Sequence, residues 1–275
     1  MKNLTDHEFE LFRTLIRRRY GINLKDEKRS LIYSRLRTAV EREGLSSFKE
    51  YYDLIVKDKT GDYTREFVDK ITTNHTFFMR EKEHFDYLAA HVLPLIEERH
   101  KKNKDIRLWC AGCSSGEEAY TLQILLQEYF ESKPGWDTQI LATDISNTVL
   151  NKAYRGIYPT TGVEDLPINW RTKYFKPYDE DHMVAADVLK KNISFAKFNF
   201  IEDPFKFRKD FQVIFCRNVM IYFNQETRRD LVNKFYSVTE DKGYLFIGQS
   251  ESLGYSDTKY KYAMPAVYQK VEHSL

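Results

Sequence analysis

From Ile106 onward the chain alternates between two patterns, and that alternation leaves one class of architecture open. Apolar runs of strand length (IRLWCA, TQILATDI, ISFAKFNF, FQVIFC and GYLFIG) are separated mostly by helical stretches such as GEEAYTLQILLQEYF and QETRRDLVNKFYSV. Strand and helix in alternation imply an α/β fold, with a parallel sheet and right-handed crossovers. Residues from about 155 to 195 fit the alternation badly and read as a small inserted subdomain. The stretch TKYKYAMPAVYQKV carries two β-rich pieces around Pro265, which suits an antiparallel hairpin at one sheet edge.

The first 75 residues follow a different rule. Thr5, Asp6, His7 and Glu8 have capping-box spacing and open an amphipathic run, Phe9, Phe12, Leu15 and Ile16, that stops at Gly21. A second helix is expected from about Asp26 to Glu43, with Ile32, Leu36 and Val40 on one stripe and Gly44 closing it. Ser47 to Glu50 repeats the capping pattern, and a fourth helix is expected from about Asp62 to Ile71. Short helices with short loops make a small bundle. The reading is a helical domain at 1–75, a linker at about 72–82 and an α/β domain at 76–275.

Composition narrows the function. A hydrophobic fraction of 42%, with 15% aromatics, supplies a core. A net charge of +2 argues against a protein built to coat nucleic acid. The charge is uneven, however: ten Lys or Arg against three acids lie between Arg13 and Arg42. A basic surface there calls for an acidic partner. The start MKNLTDHEFE lacks an apolar core, and no apolar run approaches membrane-spanning length, so a cytoplasmic protein without membrane insertion is expected.

The chemistry concentrates in three places. In IRLWCAGCSSGEEAYT, a buried strand enters a loop of small residues and a helix begins at Gly116 or just after. Gly112 and Gly116 allow a ligand close to the backbone at the carboxyl edge of the sheet. Glu117 and Glu118 at the helix start would repel a pyrophosphate and suit a cationic ligand. S-adenosylmethionine carries a sulfonium and an ammonium and no phosphate. Asp144 ends the second strand on the same edge, where a carboxylate can accept from both ribose hydroxyls or cap the next helix. Arg217, Asn218 and Tyr222 follow the strand FQVIFC, where polar groups line the site of such folds.

Together these segments resemble the chemotaxis receptor methyltransferase family (CheR). The similarity is carried by TTNHTFFMRE, CSSGEEAYT, ATDIS, IFCRNVMIYF and IGQSESL in order, with HEFELFRTLIRRRYGINL and KRSLIYSRL in the helical part. The resemblance implies a Rossmann-like S-adenosylmethionine-dependent methyltransferase domain that esterifies glutamates on the cytoplasmic domain of chemoreceptors. It implies that Asn74, Thr76 and Arg80 lie on a linker closing over the cofactor. One of Glu117 and Glu118, with Glu118 favoured, would hold the methionine ammonium. Asp144 would bind ribose, while Asn199, Phe200 and Asn218 would flank the adenine and sulfur side. Arg80 and Tyr222 would face the transferred methyl and the incoming glutamate. Ala119 and Met79 depart from the Pro and Phe often found there, without touching a polar ligand.

A glutamate acceptor has a reference pKa of about 4.3 and is already ionised at neutral pH, so no general base is needed. With the resemblance in hand, the basic segment becomes a receptor-docking stripe of Lys28, Arg35 and Arg42, with Arg29 and Arg37 beside it. Without it, a solvated helix face is the plainer account. Cys110 and Cys113 have metal spacing but no partner set, so no metal is expected. The segment EDPF only faintly resembles an amino-group methylase motif, and a nucleic-acid substrate is set aside. A catalytically silent S-adenosylmethionine-binding module is the alternative. No glycine lies between Gly162 and Gly243, which speaks against a glycine-bearing loop that docks a receptor C-terminal peptide. Nothing in the sequence demands a dimer, and a monomer is expected.

Overall fold

The structure, a computed structural model, describes residues 3–254 and 258–271. The first two residues of the charged start lie outside that range. Helix α1 (Asp6–Tyr20) opens on the full capping box: Thr5 accepts from the Glu8 amide, and the Glu8 carboxylate accepts from the Thr5 amide. Such a cap is worth about 1 kcal/mol. Gly21 closes it at φ +72°, and a Cβ there would stand 2.8 Å from Ile201 Cδ1. Helix α2 (Arg29–Arg42) follows a single 3-10 turn at Asp26–Lys28 and buries Ile32, Leu36 and Val40 completely. Helices α3 (Phe48–Lys57, capped by Ser47) and α4 (Asp62–Ile71) complete a bundle around Phe12, Tyr51 and Phe67.

Beyond the linker, helix α5 (Lys82–Tyr87) passes through a π turn at Leu88–Val92 into α6 (Leu93–His100). The widening comes just before Pro94, whose missing N–H leaves the ladder one donor short. Then strand and helix alternate: β1 (Asp105–Ala111), α7 (Glu117–Phe130), β2 (Asp137–Asp144) and α8 (Asn147–Arg155). The inserted unit is a three-stranded antiparallel sheet of β3 (Ile157–Pro159), β4 (Phe175–Pro177) and β5 (His182–Ala185) in order β3-β5-β4, with α9 (Ile168–Tyr174) between its first two strands. After α10 (Asp187–Lys190) come β6 (Ile193–Lys197), β7 (Phe211–Cys216), α11 (Gln225–Val238) and β8 (Thr239–Ile247). The hairpin β9 (Lys261–Met264) and β10 (Val267–Gln269) closes one edge. The large sheet runs β6-β2-β1-β7-β8-β10-β9; its first five strands are parallel and β10 lies antiparallel to β8.

The order reverses at β1, so a crevice opens between the carboxyl ends of β1 and β7, where open α/β sheets take ligands. The helical bundle is fastened across that crevice. The Asn23 amide donates to the Tyr222 carbonyl at 2.7 Å, Ile22 bridges Phe223, and Asn199 Nδ2 donates to the Arg19 carbonyl at 2.9 Å. The linker is nailed down by Phe78, 1% exposed, edge-on to Tyr158 and Phe175 of the inserted sheet.

Candidate active site

A cavity of about 480 Å³ lies in that crevice, walled by the helical bundle, the linker and the carboxyl edge of the sheet. Its size is that of a small-molecule site. Asn74, Thr76, Arg80, Gly112, Glu118, Asp144, Asn199, Phe200, Arg217, Asn218 and Tyr222 all line it.

Each is placed by local structure. Gly112 takes φ +92° at the end of β1, and a Cβ there would run into Val219 Cγ2. Glycine is therefore required where β1 turns beneath the cavity. Ser114, next in that loop and itself left-handed, donates its amide to Asp144 Oδ2 at 2.9 Å, and Ser146 donates to Oδ1 at 2.9 Å. Asp144 is thus fixed at the tip of β2 with lone pairs left toward the cavity. The helix cap there is Ser146, which accepts from the Val149 amide. Burial pushes the Asp144 carboxyl above its ordinary value, and the amides pull it back.

The structure separates the two glutamates that sequence left paired. Glu118 faces the cavity; Glu117 does not, and binds the Ser115 hydroxyl at 2.8 Å. Glu118 is held from two sides. Cys110 Sγ donates to Oε1 at 3.0 Å, and Arg217 Nη1 stands 3.4 Å from Oε2. Burial raises its carboxyl and Arg217 opposes the shift. Arg217 also lies 3.3 Å from Glu81 and donates to the Arg80 carbonyl. His84 beside them is kept neutral, its pKa lowered to about 4 by burial and by the Arg217 charge. Of the Glu81–Arg217–Glu118 triad, Glu118 and Arg217 reach the cavity wall, and the charge of Arg80 on the same wall also acts on Glu118.

Other expectations moved. The strand read as 193–200 ends at Lys197, so Asn199 and Phe200 sit in a loop, and Asn199 is also the clamp on Arg19. The expected docking stripe is not one free surface. Arg35 donates to the carbonyls of Ile71 (2.8 Å) and Thr72 (3.1 Å); Arg29 pairs with Asp6, Arg37 with Glu41, and Arg42 with Glu43 and Glu66. Lys28, in the 3-10 turn, instead lines the cavity together with Lys25, and both side chains are exposed. Sequence reasoning gave no role to Glu81 or Glu251, although both stand in segments that carried the resemblance. Glu251 accepts from the amides of Gly248, Asn218 and Ile221 and so shapes the turn that presents Asn218 and Tyr222.

A parallel sheet whose order reverses at β1, a glycine turn into an acid-headed helix and a second acid at the tip of the next strand define a Rossmann-like α/β domain with a small-molecule crevice at its carboxyl edge. The model of the CheR methyltransferase SAM binding domain matches residues 74–268, and that of the CheR methyltransferase all-alpha domain matches 7–72. The chain belongs to the CheR methyltransferase family, and its cofactor is S-adenosylmethionine. The chemotaxis protein methyltransferase of Borreliella burgdorferi is 42% identical over 98% of this chain and 95% of its own. That of Escherichia coli is 32% identical over 96% and 91%. A solved magnesium protoporphyrin IX methyltransferase from Synechocystis, with bound SAH, is 13% identical over 77% and 70% at a TM-score of 0.31, too distant to add to the family match.

The residues present fit the cofactor. The Glu118 carboxylate at the cavity wall would suit its ammonium, the Asp144 carboxylate would suit a ribose diol, and Gly112 leaves room for a ligand against the backbone.

Proposed function

We propose that the protein methylates glutamate side chains on the cytoplasmic helices of chemoreceptors, forming methyl esters. The observation that carries this is that Arg80 and Tyr222 line the same cavity as Glu118 and Asp144. The bound cofactor supplies an electrophilic methyl, which a carboxylate oxygen takes as the carbon–sulfur pair returns to sulfur. The acceptor is ionised at neutral pH, so the chain's work is placement and exclusion of water. Arg80, half-buried and donating to the His75 carbonyl at 2.9 Å, orients the incoming carboxylate by charge-assisted hydrogen bonds. Tyr222, whose own carbonyl accepts from the Asn23 amide, lines the same cavity and in this reading faces the acceptor with Arg80. Asn74 and Thr76 on the linker, and Asn199, Phe200 and Asn218 opposite, enclose the nucleoside and sulfur.

The helical domain docks the receptor in this reading, through Lys25 and Lys28 at the cavity mouth rather than through Arg35. Phe77 and Ile221, 41% and 48% exposed, add apolar contact for a helical substrate. The protein acts as a cytoplasmic monomer, without capture of a receptor C-terminal peptide. What speaks against peptide capture is that the inserted unit lacks glycine after Gly162. No observation favours the silent module. The test is transfer of labelled methyl to a receptor cytoplasmic fragment by the wild type and by Arg80→Ala. Turnover should be nearly abolished in the variant; near-normal turnover removes Arg80 from the mechanism.

A further inference from the structure

One buried guanidinium touches both halves of the site. The Arg217 side chain, 1% exposed, leaves the carboxyl end of β7 and lies against two rings, 5.3 Å from the centre of Phe85 and 5.9 Å from that of Phe215. Ring contact and burial fix the plane of the fork. From that plane Nη1 faces Glu118 on the cofactor side, Nε faces Glu81, and Nη2 donates to the carbonyl of Arg80 on the acceptor side.

The backbone around Arg80 needs such a hold. Met79 and Glu81, its two neighbours, both take left-handed conformations, at φ 59° and 53°. Non-glycine residues keep that conformation only where the surroundings over-determine it. Here the Glu81 carboxylate is gripped by Asn218 Nδ2 and the Gln249 amide, each at 3.2 Å, as well as by Arg217. The linker residue expected to meet the acceptor is thus positioned from the floor of the cofactor site.

We propose that Arg217 is a positioning residue, setting Glu118 and Arg80 relative to each other through one rigid fork. The proposal rests on the roles given above to Glu118 and Arg80. Lysine at 217 would keep the charge but offer a point in place of a fork, so it cannot reach both sides at once.

The test is a double-mutant cycle on S-adenosylhomocysteine affinity, measured by calorimetry on the purified full chain for Arg217→Lys, Glu118→Gln and the pair. Arg217→Lys should weaken binding about 10-fold in the wild type and less than about 2-fold when Glu118 is already Gln, because the effect runs through Glu118. An equal loss in both backgrounds, or no loss, overturns the proposal while leaving the site assignment standing. No loss in Glu118→Gln itself overturns the site assignment. Should Arg217→Lys fail to fold, Glu81→Gln decides. Its turnover at saturating substrates should fall about 10-fold, a loss in kcat that weaker cofactor binding alone does not give. Unchanged turnover there overturns the proposal.

Discussion

Replacing Glu118 with glutamine keeps the side chain's shape and removes one charge from a buried triad. With Glu118 ionised, the substitution removes one negative charge from the cavity wall, while Arg217, Arg80 and Glu81 are the same in both proteins. An ammonium about 4 Å from that charge gains at most about 4 kcal/mol at an effective dielectric of about 20. Keeping Glu118 ionised in a buried place takes part of this back, as its raised pKa records. A charge-assisted hydrogen bond nets about 1.5–3 kcal/mol, and a loss of about 2 kcal/mol is about 30-fold in Kd. The assay compares two ligands by calorimetry: S-adenosylhomocysteine, which has the ammonium, and 5′-methylthioadenosine, which keeps the nucleoside and thioether but lacks the amino-acid end. Glu118→Gln should weaken the first about 30-fold and leave the second within about 2-fold. Asp144→Asn should weaken both. Equal loss of the two ligands in Glu118→Gln, or no loss of the first, refutes the placement. In the ligand-free protein the sign reverses. The native state holds its proton to higher pH than the unfolded one, so the wild type loses stability relative to the variant as pH rises above about 4.5.

Arg35→Glu should lower the thermal midpoint by the equivalent of about 1–3 kcal/mol, because it strips donors from the carbonyls ending α4. Lys28→Glu should leave the midpoint alone and raise the KM for a receptor fragment severalfold; an unchanged KM removes the mouth lysines from docking. His84 is buried neutral at about 4, against 6.5 when free, and must gain a proton on acid unfolding. It therefore contributes stability above pH 6.5 that is lost toward pH 4, at most about 3 kcal/mol. Thermal scans of His84→Gln should lack that portion of the acid slope, and an unaltered slope would contradict it. Gly21→Ala forces a left-handed alanine whose Cβ meets Ile201 at 2.8 Å and Thr227 at 2.9 Å. It should cost about 2–4 kcal/mol in denaturant unfolding; less than about 1 kcal/mol would show an interface that yields.

What could be read in the sequence followed from short-range rules. The Thr5 box, the Gly21 stop and the Ile32, Leu36, Val40 stripe depend on neighbours within one or two helical turns, and each helix of the bundle forms where its pattern sits. The five apolar runs became the five parallel strands for the same reason. What escaped depends on partners far along the chain. Glu117 and Glu118 stand next to each other on one helix; the resemblance favours Glu118, but the contact that turns it into the cavity, Cys110 on β1, has no local signal. Spacing of seven put Lys28, Arg35 and Arg42 on one stripe but could not show that α4 would occupy Arg35 and Glu66 would take Arg42. The strand at Ile193 looked three residues too long, because Phe198 and Phe200 are as apolar as strand residues while packing on Trp109 from a loop. The left-handed Glu81 has no local signal at all, since its partners are Arg217, Asn218 and Gln249.

The central claim is that the acceptor is a carboxylate. Labelled methyl transferred from S-adenosylmethionine to a receptor cytoplasmic fragment should be released as volatile methanol in mild base, as a methyl ester requires. Label that survives base treatment would place the methyl on nitrogen and contradict the account.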